Sequence, residues 1–256
     1  MRGEQNLSTL NIEEREDRLV VELHRPDAKN AINDDMVVEL HGVCEGLEQD
    51  PRILIITGAR NGSDTVFSAG ADIRRLLARG REEALQGINS NLFSRIARLP
   101  MPVIAAVDGF AIGGGAELAY AADVRIASTR AVFGNPEAGL GILAAAGATW
   151  RLLELVGEPL AKEMLFTGRN VTAEEALQRG LVSAVHEPED IMDAVHALVD
   201  RIAKQDALAV RVTKRVLATP RAAHPFVDDL AQAILFESEE KERRMWSFLK
   251  RSERSQ

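Results

Sequence analysis

The sequence predicts a mixed α/β fold with a helical C-terminal region, and two observations support this prediction. Short runs rich in valine and isoleucine alternate with amphipathic helical stretches along residues 1–190, without the strict alternation of a half-exposed sheet. Beyond that point the strand-like runs stop, and amphipathic helical segments occupy residues 191–256. We therefore expect a core of sheets covered by helices, followed by a region that covers this core or packs against a neighbouring subunit.

The individual elements follow from local signals. Asn33–Glu48 is a predicted helix with Asn33 as its N-cap, and Asp50-Pro51 ends it. The region Asp72–Leu99 contains Gly80 and Gly87, which predict two helices or a hinge rather than one rod. The predicted strands are Leu19–Leu23, Ile53–Thr57, Val103–Val107, Val124–Ser128 and Leu181–Val185. The predicted C-terminal helices are Ile191–Ala203, Ala207–Leu217 and Val227–Leu249.

The composition is that of an ordinary globular protein, because 46% of its 256 residues are apolar and 27% are charged. A formal net charge of −8 disfavours binding to nucleic acid. The single cysteine, Cys44, excludes an intrachain disulfide, and no segment resembles a signal peptide or is long enough to span a membrane. We therefore expect a cytoplasmic protein. The five histidines lack the spacing of metal ligands, so no metal site is expected.

Two glutamates with glycine-rich backbone beside them are the most informative feature of the chain. Glu117 closes the segment Gly-Gly-Gly-Ala-Glu, and Glu137 closes Phe-Gly-Asn-Pro-Glu. Upstream, Phe67–Ile73 reads Phe-Ser-Ala-Gly-Ala-Asp-Ile. Two carboxyl groups can act as acid and base, and N–H groups exposed by small residues can bind an oxyanion. Separately these segments also fit a helix start, a surface acid and a tight turn, but their combination indicates a site that polarises a carbonyl group and moves protons.

Backbone donors for such a site are predicted in two places. Ala69 and Gly70 allow a ligand to approach the main chain, so Ala69 N–H is expected to donate to a carbonyl oxygen. Gly113–Gly115 passes from a buried strand into a helix, whose first N–H groups lack partners, and this predicts the second donor. Gly139–Ala144 formally fits a dinucleotide-binding motif, but Pro136-Glu137 stands where that motif needs a strand.

Together these residues resemble the crotonase superfamily, the enoyl-CoA hydratase/isomerase proteins. The resemblance covers nearly the whole chain and includes the segments around Glu117 and Glu137 as well as Phe67–Ile73. It is also carried by Arg25–Ile32, Pro102–Asp108, Ala122–Ala127, Thr167–Arg169 and Ala173–Val182. The chain departs from the family at Leu143–Thr149, which reads Leu-Ala-Ala-Ala-Gly-Ala-Thr where relatives commonly have Ile-Pro-Gly-Ala-Gly-Gly-Thr.

The resemblance implies a spiral of ββα units with a C-terminal helical region that builds a homotrimer or a dimer of trimers. It also implies an acyl-CoA thioester as the ligand, with coenzyme A as part of the substrate and no separate cofactor. By position, Ala69 and Gly114 match the family's oxyanion donors, and Glu117 and Glu137 match its two carboxylates. The residues expected to contact coenzyme A or the acyl group are Arg25, Lys29, Ala71, Asp72, Ile73, Gly113, Pro136 and Ala145.

The implied activity is the syn addition of water to a 2-enoyl-CoA thioester. Within the family, the alternatives are double-bond isomerisation, thioester hydrolysis and the formation or cleavage of a carbon–carbon bond. A non-catalytic oligomeric protein that binds acyl-CoA is the alternative from another class. The presence of both glutamates favours hydration, because many relatives with other activities lack one of them.

Overall fold

The computed structural model describes residues 3–59 and 65–253. It contains two compact units, Met1–Val199 and Asp200–Gln256. The domain boundary predicted between residues 190 and 191 is not tested by this division and stays a prediction.

Eleven short strands lie in the described residues, all of them in the first unit. They are β1 (Gly3–Asn6), β2 (Leu10–Glu14), β3 (Arg18–Leu23), β4 (Ile53–Gly58), β5 (Val66–Ser68), β6 (Val103–Val107), β7 (Phe110–Ile112), β8 (Val124–Ser128), β9 (Val132–Gly134), β10 (Val171–Thr172) and β11 (Ala184–His186). One sheet has the order β1-β2-β3-β4-β6-β8-β11 and the other has the order β10-β9-β7-β5. In the second sheet β5, β7 and β9 run parallel to one another, whereas β10 runs antiparallel to β9.

Helices follow the strand pairs and cover the sheets. They are α1 (Asp34–Gln49), α2 (Ile73–Ala78), α3 (Arg81–Leu85), α4 (Ile88–Ala97), α5 (Gly114–Ala121), α6 (Leu153–Val156), α7 (Glu158–Thr167), α8 (Ala173–Gln178), α9 (Ile191–Ala203), α10 (Ala207–Leu217), α11 (Phe226–Phe236) and α12 (Glu239–Glu253). Short 3₁₀ turns occupy Pro26–Ala28, Glu137–Leu140 and Arg221–Ala223, and a single π-helical turn occupies Ala148–Leu152.

The chain winds by repeating one unit. The strands β4, β6 and β8 pair in parallel within the first sheet, and each is followed directly by a strand of the second sheet. Helices then carry the chain back to the first sheet, as α2 to α4 do between β5 and β6, and α5 does between β7 and β8. This repeated strand–strand–helix path, together with the C-terminal helices, confirms the predicted spiral of ββα units.

Several predicted elements needed correction. The region Asp72–Leu99 forms three helices, because Gly80 and Gly87 each begin a new one. The strand predicted at Leu181–Val185 is displaced to Ala184–His186, since Leu181 and Val182 form turn bonds to Ala176 O. The helix predicted at Val227–Leu249 is two helices, α11 and α12.

The break between those last two helices has a local cause. Ser238 Oγ accepts a hydrogen bond from Lys241 N at 3.2 Å, as an N-cap does. The strand predicted at Leu19–Leu23 is β3, and it was predicted correctly to within one residue. The same holds for the helix beginning at Asp34 and for the helices Ile191–Ala203 and Ala207–Leu217. The strands β1 and β2 were not predicted.

Candidate active site

The three segments singled out in the sequence lie at the ends of three adjacent parallel strands. Phe67–Ile73 contains the end of β5, Gly113–Glu117 follows β7, and Asn135–Glu137 follows β9. The carboxyl ends of parallel strands meet at one edge of a sheet. The sheet order therefore brings these segments together, and a hydrogen bond of 2.8 Å from Gly113 N to Gly134 O joins two of them directly.

The structure contradicts the assignment of Ala69 as an oxyanion donor. Ala69 N–H donates to Lys29 O at 3.0 Å, so this N–H is already used within the chain. The neighbouring amides are also occupied, because Gly70 N donates to Ser68 Oγ at 3.2 Å and Asp72 N donates to Ile32 O at 2.9 Å. A ligand could accept a hydrogen bond from one of these amides only if the existing bond of that amide were broken.

Ala71 is the exception in this segment. It pairs with Ile32 in an isolated parallel bridge in which Ile32 both donates to Gly70 O and accepts from Asp72 N. In such a bridge the N–H of Ala71 points away from Ile32. Within residues 3–59 and 65–253, Ala71 N–H has no hydrogen-bond acceptor.

Gly114 supplies a second amide beside Ala71 that has no acceptor among the described residues. It is the first residue of α5, and the first N–H groups of a helix have no partner within that helix. A methyl group built on Gly114 would lie 3.3 Å from Ala71 N, and one built on Gly70 would lie 3.3 Å from Gly114 N. The two N–H groups are therefore neighbours, and two such donors can share one oxyanion.

Glu117 lies in the first turn of α5 and is only 3% exposed. Its Oε1 accepts hydrogen bonds from Ala146 N at 2.8 Å and from Ala148 N at 3.1 Å. Burial raises the pKa of Glu117 to about 7, the Ala148 N–H bond works against this rise, and the nearby Glu137 carboxyl adds to it. Glu117 is thus fixed in position and titrates near neutral pH, as a general base requires.

Glu137 begins the 3₁₀ turn after β9 and is 8% exposed. A methyl group built on Gly113 would lie 3.0 Å from Glu137 Oε1, so this carboxyl group lies against the glycine segment that precedes Gly114. Burial also raises the pKa of Glu137, and its own backbone N–H and the Asn135 amide partly offset that rise. Because the charge of Glu137 disfavours the ionised form of Glu117, one acid of the pair is expected to keep its proton while the other is ionised.

The residues predicted to contact the ligand fall into groups around this edge. Arg25 Nη1 donates to Ala31 O at 2.5 Å, and the guanidinium forms an ion pair of 3.4 Å with Asp72. Asp72 also caps α2 by accepting from Arg74 N at 3.1 Å. Lys29 is exposed and adopts a left-handed backbone with φ of 52°. This group therefore lies beside Ala71.

The remaining predicted contact residues are spread over the other segments. Ile73 is exposed at the start of α2, and Pro136 is partly buried next to Glu137. Gly113 has a φ of 54° and adjoins the free amide of Gly114. Ala145 is exposed, and it precedes the first of the two amides that bind Glu117. Their contacts with a ligand stay a prediction.

Three residues that support the site were not singled out from the sequence. Asn30 is buried, and its Nδ2 donates to Val66 O at 2.7 Å and to Ala59 O at 2.9 Å, which fastens the Arg25–Ile32 loop beside β5. Tyr120 and Asn135 are buried and bonded to each other, close to both glutamates. A lone polar residue among apolar neighbours was the available signal for Tyr120, but its partner could not be identified without the fold.

No helix among the described residues is long and apolar enough to cross a membrane. Within the same residues, no group of three or more His, Cys, Asp or Glu side chains is placed to hold a metal ion.

Comparisons with known proteins place this arrangement in context. The family model described as Enoyl-CoA hydratase/isomerase matches residues 13–246. A short-chain-enoyl-CoA hydratase of Clostridium acetobutylicum is 41% identical over 226 residues, which cover 86% of this chain and 83% of that protein. A crotonyl-CoA hydratase of Syntrophomonas wolfei is 42% identical over 206 residues, or 78% of each chain. A crystal structure of an enoyl-CoA hydratase from Bacillus anthracis matches with a TM-score of 0.89 at 27% identity, covering 95% of this chain and 97% of that one.

Proposed function

Because the chain belongs to the enoyl-CoA hydratase/isomerase family of the crotonase superfamily, we propose that it adds water to a 2-enoyl-CoA thioester and forms a 3-hydroxyacyl-CoA. The observation that carries this proposal is the meeting of two buried glutamates with a pair of free backbone N–H groups at one sheet edge. Curated relatives named as short-chain-enoyl-CoA and crotonyl-CoA hydratases support it.

The two N–H groups stabilise the charge that develops during addition. When water attacks the β-carbon, the electrons of the double bond move onto the thioester oxygen and form an enolate. We assign the binding of this oxygen to the N–H groups of Ala71 and Gly114, which are adjacent and have no acceptor in the described chain. One such donor typically contributes about 10²–10³ in rate.

The glutamates move the protons. Glu117 takes a proton from the attacking water, and the amides of Ala146 and Ala148 hold its carboxylate in place. Glu137 delivers a proton to the α-carbon. One water is thus added across the double bond, and the two acids together hold the same number of protons before and after the reaction. The raised pKa values of both groups suit this exchange at neutral pH.

Replacing either acid by its amide tests the assignment. Glu117→Gln and Glu137→Gln should each lower kcat for crotonyl-CoA hydration by about 10²–10⁴, because each removes one acid–base group while keeping the side-chain shape. The loss of the conjugated enoyl thioester absorbance measures the rate, and the exposed Glu82→Gln is the control. Wild-type turnover in both site variants would contradict the assignment.

The other activities of the family require separate substrates. An isomerase needs an acid–base carboxylate but no captured water, so it acts on a 3-enoyl-CoA without forming a hydroxyl group. We expect hydration of 2-enoyl-CoA to exceed isomerisation of 3-enoyl-CoA, as measured by product analysis with both thioesters. A series of 2-enoyl-CoA thioesters of increasing length then measures how the alanine-rich segment Leu143–Thr149 affects the acyl preference.

We also propose how the ligand and the subunits are organised. Coenzyme A enters as part of the substrate, with no separate cofactor, and contacts the group formed by Arg25, Lys29, Ala71, Asp72 and Ile73. The protein assembles as a homotrimer or a dimer of trimers through its C-terminal helices, which carry exposed apolar side chains. A cytoplasmic location is proposed from the single buried cysteine and the acidic composition.

A further inference from the structure

Glu137 has a buried polar neighbour that the reaction itself does not use. Asn135 lies two residues before it, with 0% exposure, and Tyr120 is 2% exposed on α5. Tyr120 Oη donates a hydrogen bond to Asn135 Oδ1 at 3.0 Å. Tyr120 is three residues after Glu117, so both side chains project from the same face of α5.

The nitrogen end of the Asn135 amide lies near the second acid, Glu137. Asn135 Nδ2 and Glu137 Oε2 are both buried, and neither has a hydrogen-bond partner of good geometry within the described residues. One is a donor and the other an acceptor, and the amide is close enough to lower the pKa of Glu137 against the effect of burial. A buried donor and acceptor left without partners are costly, so their pairing is favoured.

We propose that Tyr120 and Asn135 are positioning residues for Glu137. The tyrosine hydroxyl holds Asn135 Oδ1, and this bond turns the amide N–H groups toward the Glu137 carboxyl. The opposite orientation of the amide would place its carbonyl oxygen against the carboxyl oxygens, which repel it. The proposal rests on the proposed hydratase function for its kinetic consequences only, because the ionisation of Glu137 can be followed without substrate.

The ionisable groups around Tyr120 and Asn135 determine which charges can affect these two residues. The ionisable groups that act on Tyr120 are Glu117 on the same helix, Glu137 on the turn after β9, and Arg125 on β8. Arg125 is buried and donates to the carbonyls of Leu181 at 2.7 Å and Ala122 at 2.6 Å, so its charge is fixed in place. The two acids, Glu117 and Glu137, are therefore the ionisable groups whose protonation the tyrosine can sense.

The kinetic test removes one bond at a time. Tyr120→Phe removes only the hydroxyl group, and Asn135→Leu removes the amide at nearly constant size. We expect Tyr120→Phe to lower kcat for crotonyl-CoA hydration by roughly 3- to 10-fold with little change in KM. The kcat–pH profile should move to higher pH by about half a unit, because the carboxylate of Glu137 loses a donor. In an Asn135→Leu background the same substitution should have no further effect on the profile.

A matched variant separates positioning from packing. Ser128 on β8 is 0% exposed, and its Oγ has no hydrogen-bond partner within the described residues. Ser128→Ala therefore removes another buried hydroxyl and should leave the kcat–pH profile unchanged. A Tyr120→Phe variant with wild-type kcat and an unmoved profile overturns the proposal, even when its melting temperature falls. An equal shift of the profile with Asn135 present or absent also overturns it.

A second measurement needs neither substrate nor substitution of the pair. Tyr120 is the only tyrosine in the chain, so biosynthetic 3-fluorotyrosine labels this position alone. We expect its single ¹⁹F resonance to show two contributions to its titration, one from each acid. Glu137→Gln should remove one contribution, which Asn135→Leu weakens, and Glu117→Gln should remove the other. A resonance that responds to Glu117→Gln but not to Glu137→Gln overturns the proposal. Failure of the proposed function is recognised separately, by a wild-type protein that shows the ¹⁹F titration but hydrates no 2-enoyl-CoA.

Discussion

At the residue scale, the environment of Glu117 acts on its proton in opposite directions. Burial favours the neutral acid, whereas the amides of Ala146 and Ala148 favour the carboxylate. The balance leaves a pKa of about 7, above the ordinary value of 4.5. Glu117 therefore binds its proton more tightly in the folded protein than in the unfolded chain. This difference makes the stability of the protein depend on pH.

The expected result is a loss of stability as pH rises from about 4.5 to about 7, the interval between the unfolded and folded pKa values of Glu117. Glu117→Gln removes the ionisation, so above pH 7 it should be more stable than the wild type by up to about 3 kcal/mol. Below pH 4.5 the two proteins should differ little. Urea unfolding at several pH values measures the difference, with Glu82→Gln as the control, and a difference that does not change with pH would refute the prediction.

The oxyanion donor illustrates what a sequence could and could not reveal at this scale. The segment Ser-Ala-Gly-Ala-Asp was correctly predicted to contain a free amide, but the free amide belongs to Ala71 and not to Ala69. Which amide stays free depends on the bridge between Ile32 and Ala71, a pairing between residues far apart in the chain. Local composition carries no information about that register. The two glutamates were easier to recognise from the sequence. The glycine-rich segments beside them have no evident structural role, and this indicated a functional site.

At the scale of elements, close packing of α5 on β5 fixes the site. A methyl group on Gly115 would lie 2.3 Å from Ser68 O, closer than any real contact. Gly115→Ala should therefore displace α5, destabilise the fold by about 3 kcal/mol or more and lower kcat, because α5 carries Glu117.

A second helical glycine provides the control for this substitution. Gly46 in α1 is exposed, and a methyl group there would meet no atom within 4 Å. Gly46→Ala should stabilise the protein by about 0.5–1 kcal/mol through helix propensity and leave kcat unchanged. Denaturation midpoints and crotonyl-CoA assays check both variants. Equal stabilities for the two alanine variants would contradict the packing argument.

The sequence was most informative for the central strands of the first sheet. Val103–Val107 is buried throughout, Val124–Ser128 is buried except for its first residue, and both were predicted with the observed bounds. The second sheet was missed, because β5, β7 and β9 have three residues each and β10 has two. Such short strands have no periodicity of their own, and they form only because neighbouring turns of the spiral pair with them.

At the scale of the whole molecule, helix α11 presents an exposed apolar face, as a subunit interface does before assembly. Phe226, Leu230 and Ile234 recur every fourth residue, and all three side chains are exposed. If this face builds a subunit interface, Ile234→Lys should convert the trimer or hexamer into smaller species in analytical ultracentrifugation. Gln232→Lys, on the opposite side of the helix, should leave the assembly intact. A wild-type protein that sediments as a monomer at micromolar concentration would contradict the proposed assembly.

The order of β5, β7 and β9 in the second sheet repeats their order in the chain. During synthesis, the ribosome therefore releases the Ala71 amide first, Gly114 and Glu117 together next, and Glu137 after them. The segment that clamps Glu117 through Ala146 and Ala148 emerges later still. A nascent chain thus completes the site only after more than half of its 256 residues have left the exit tunnel.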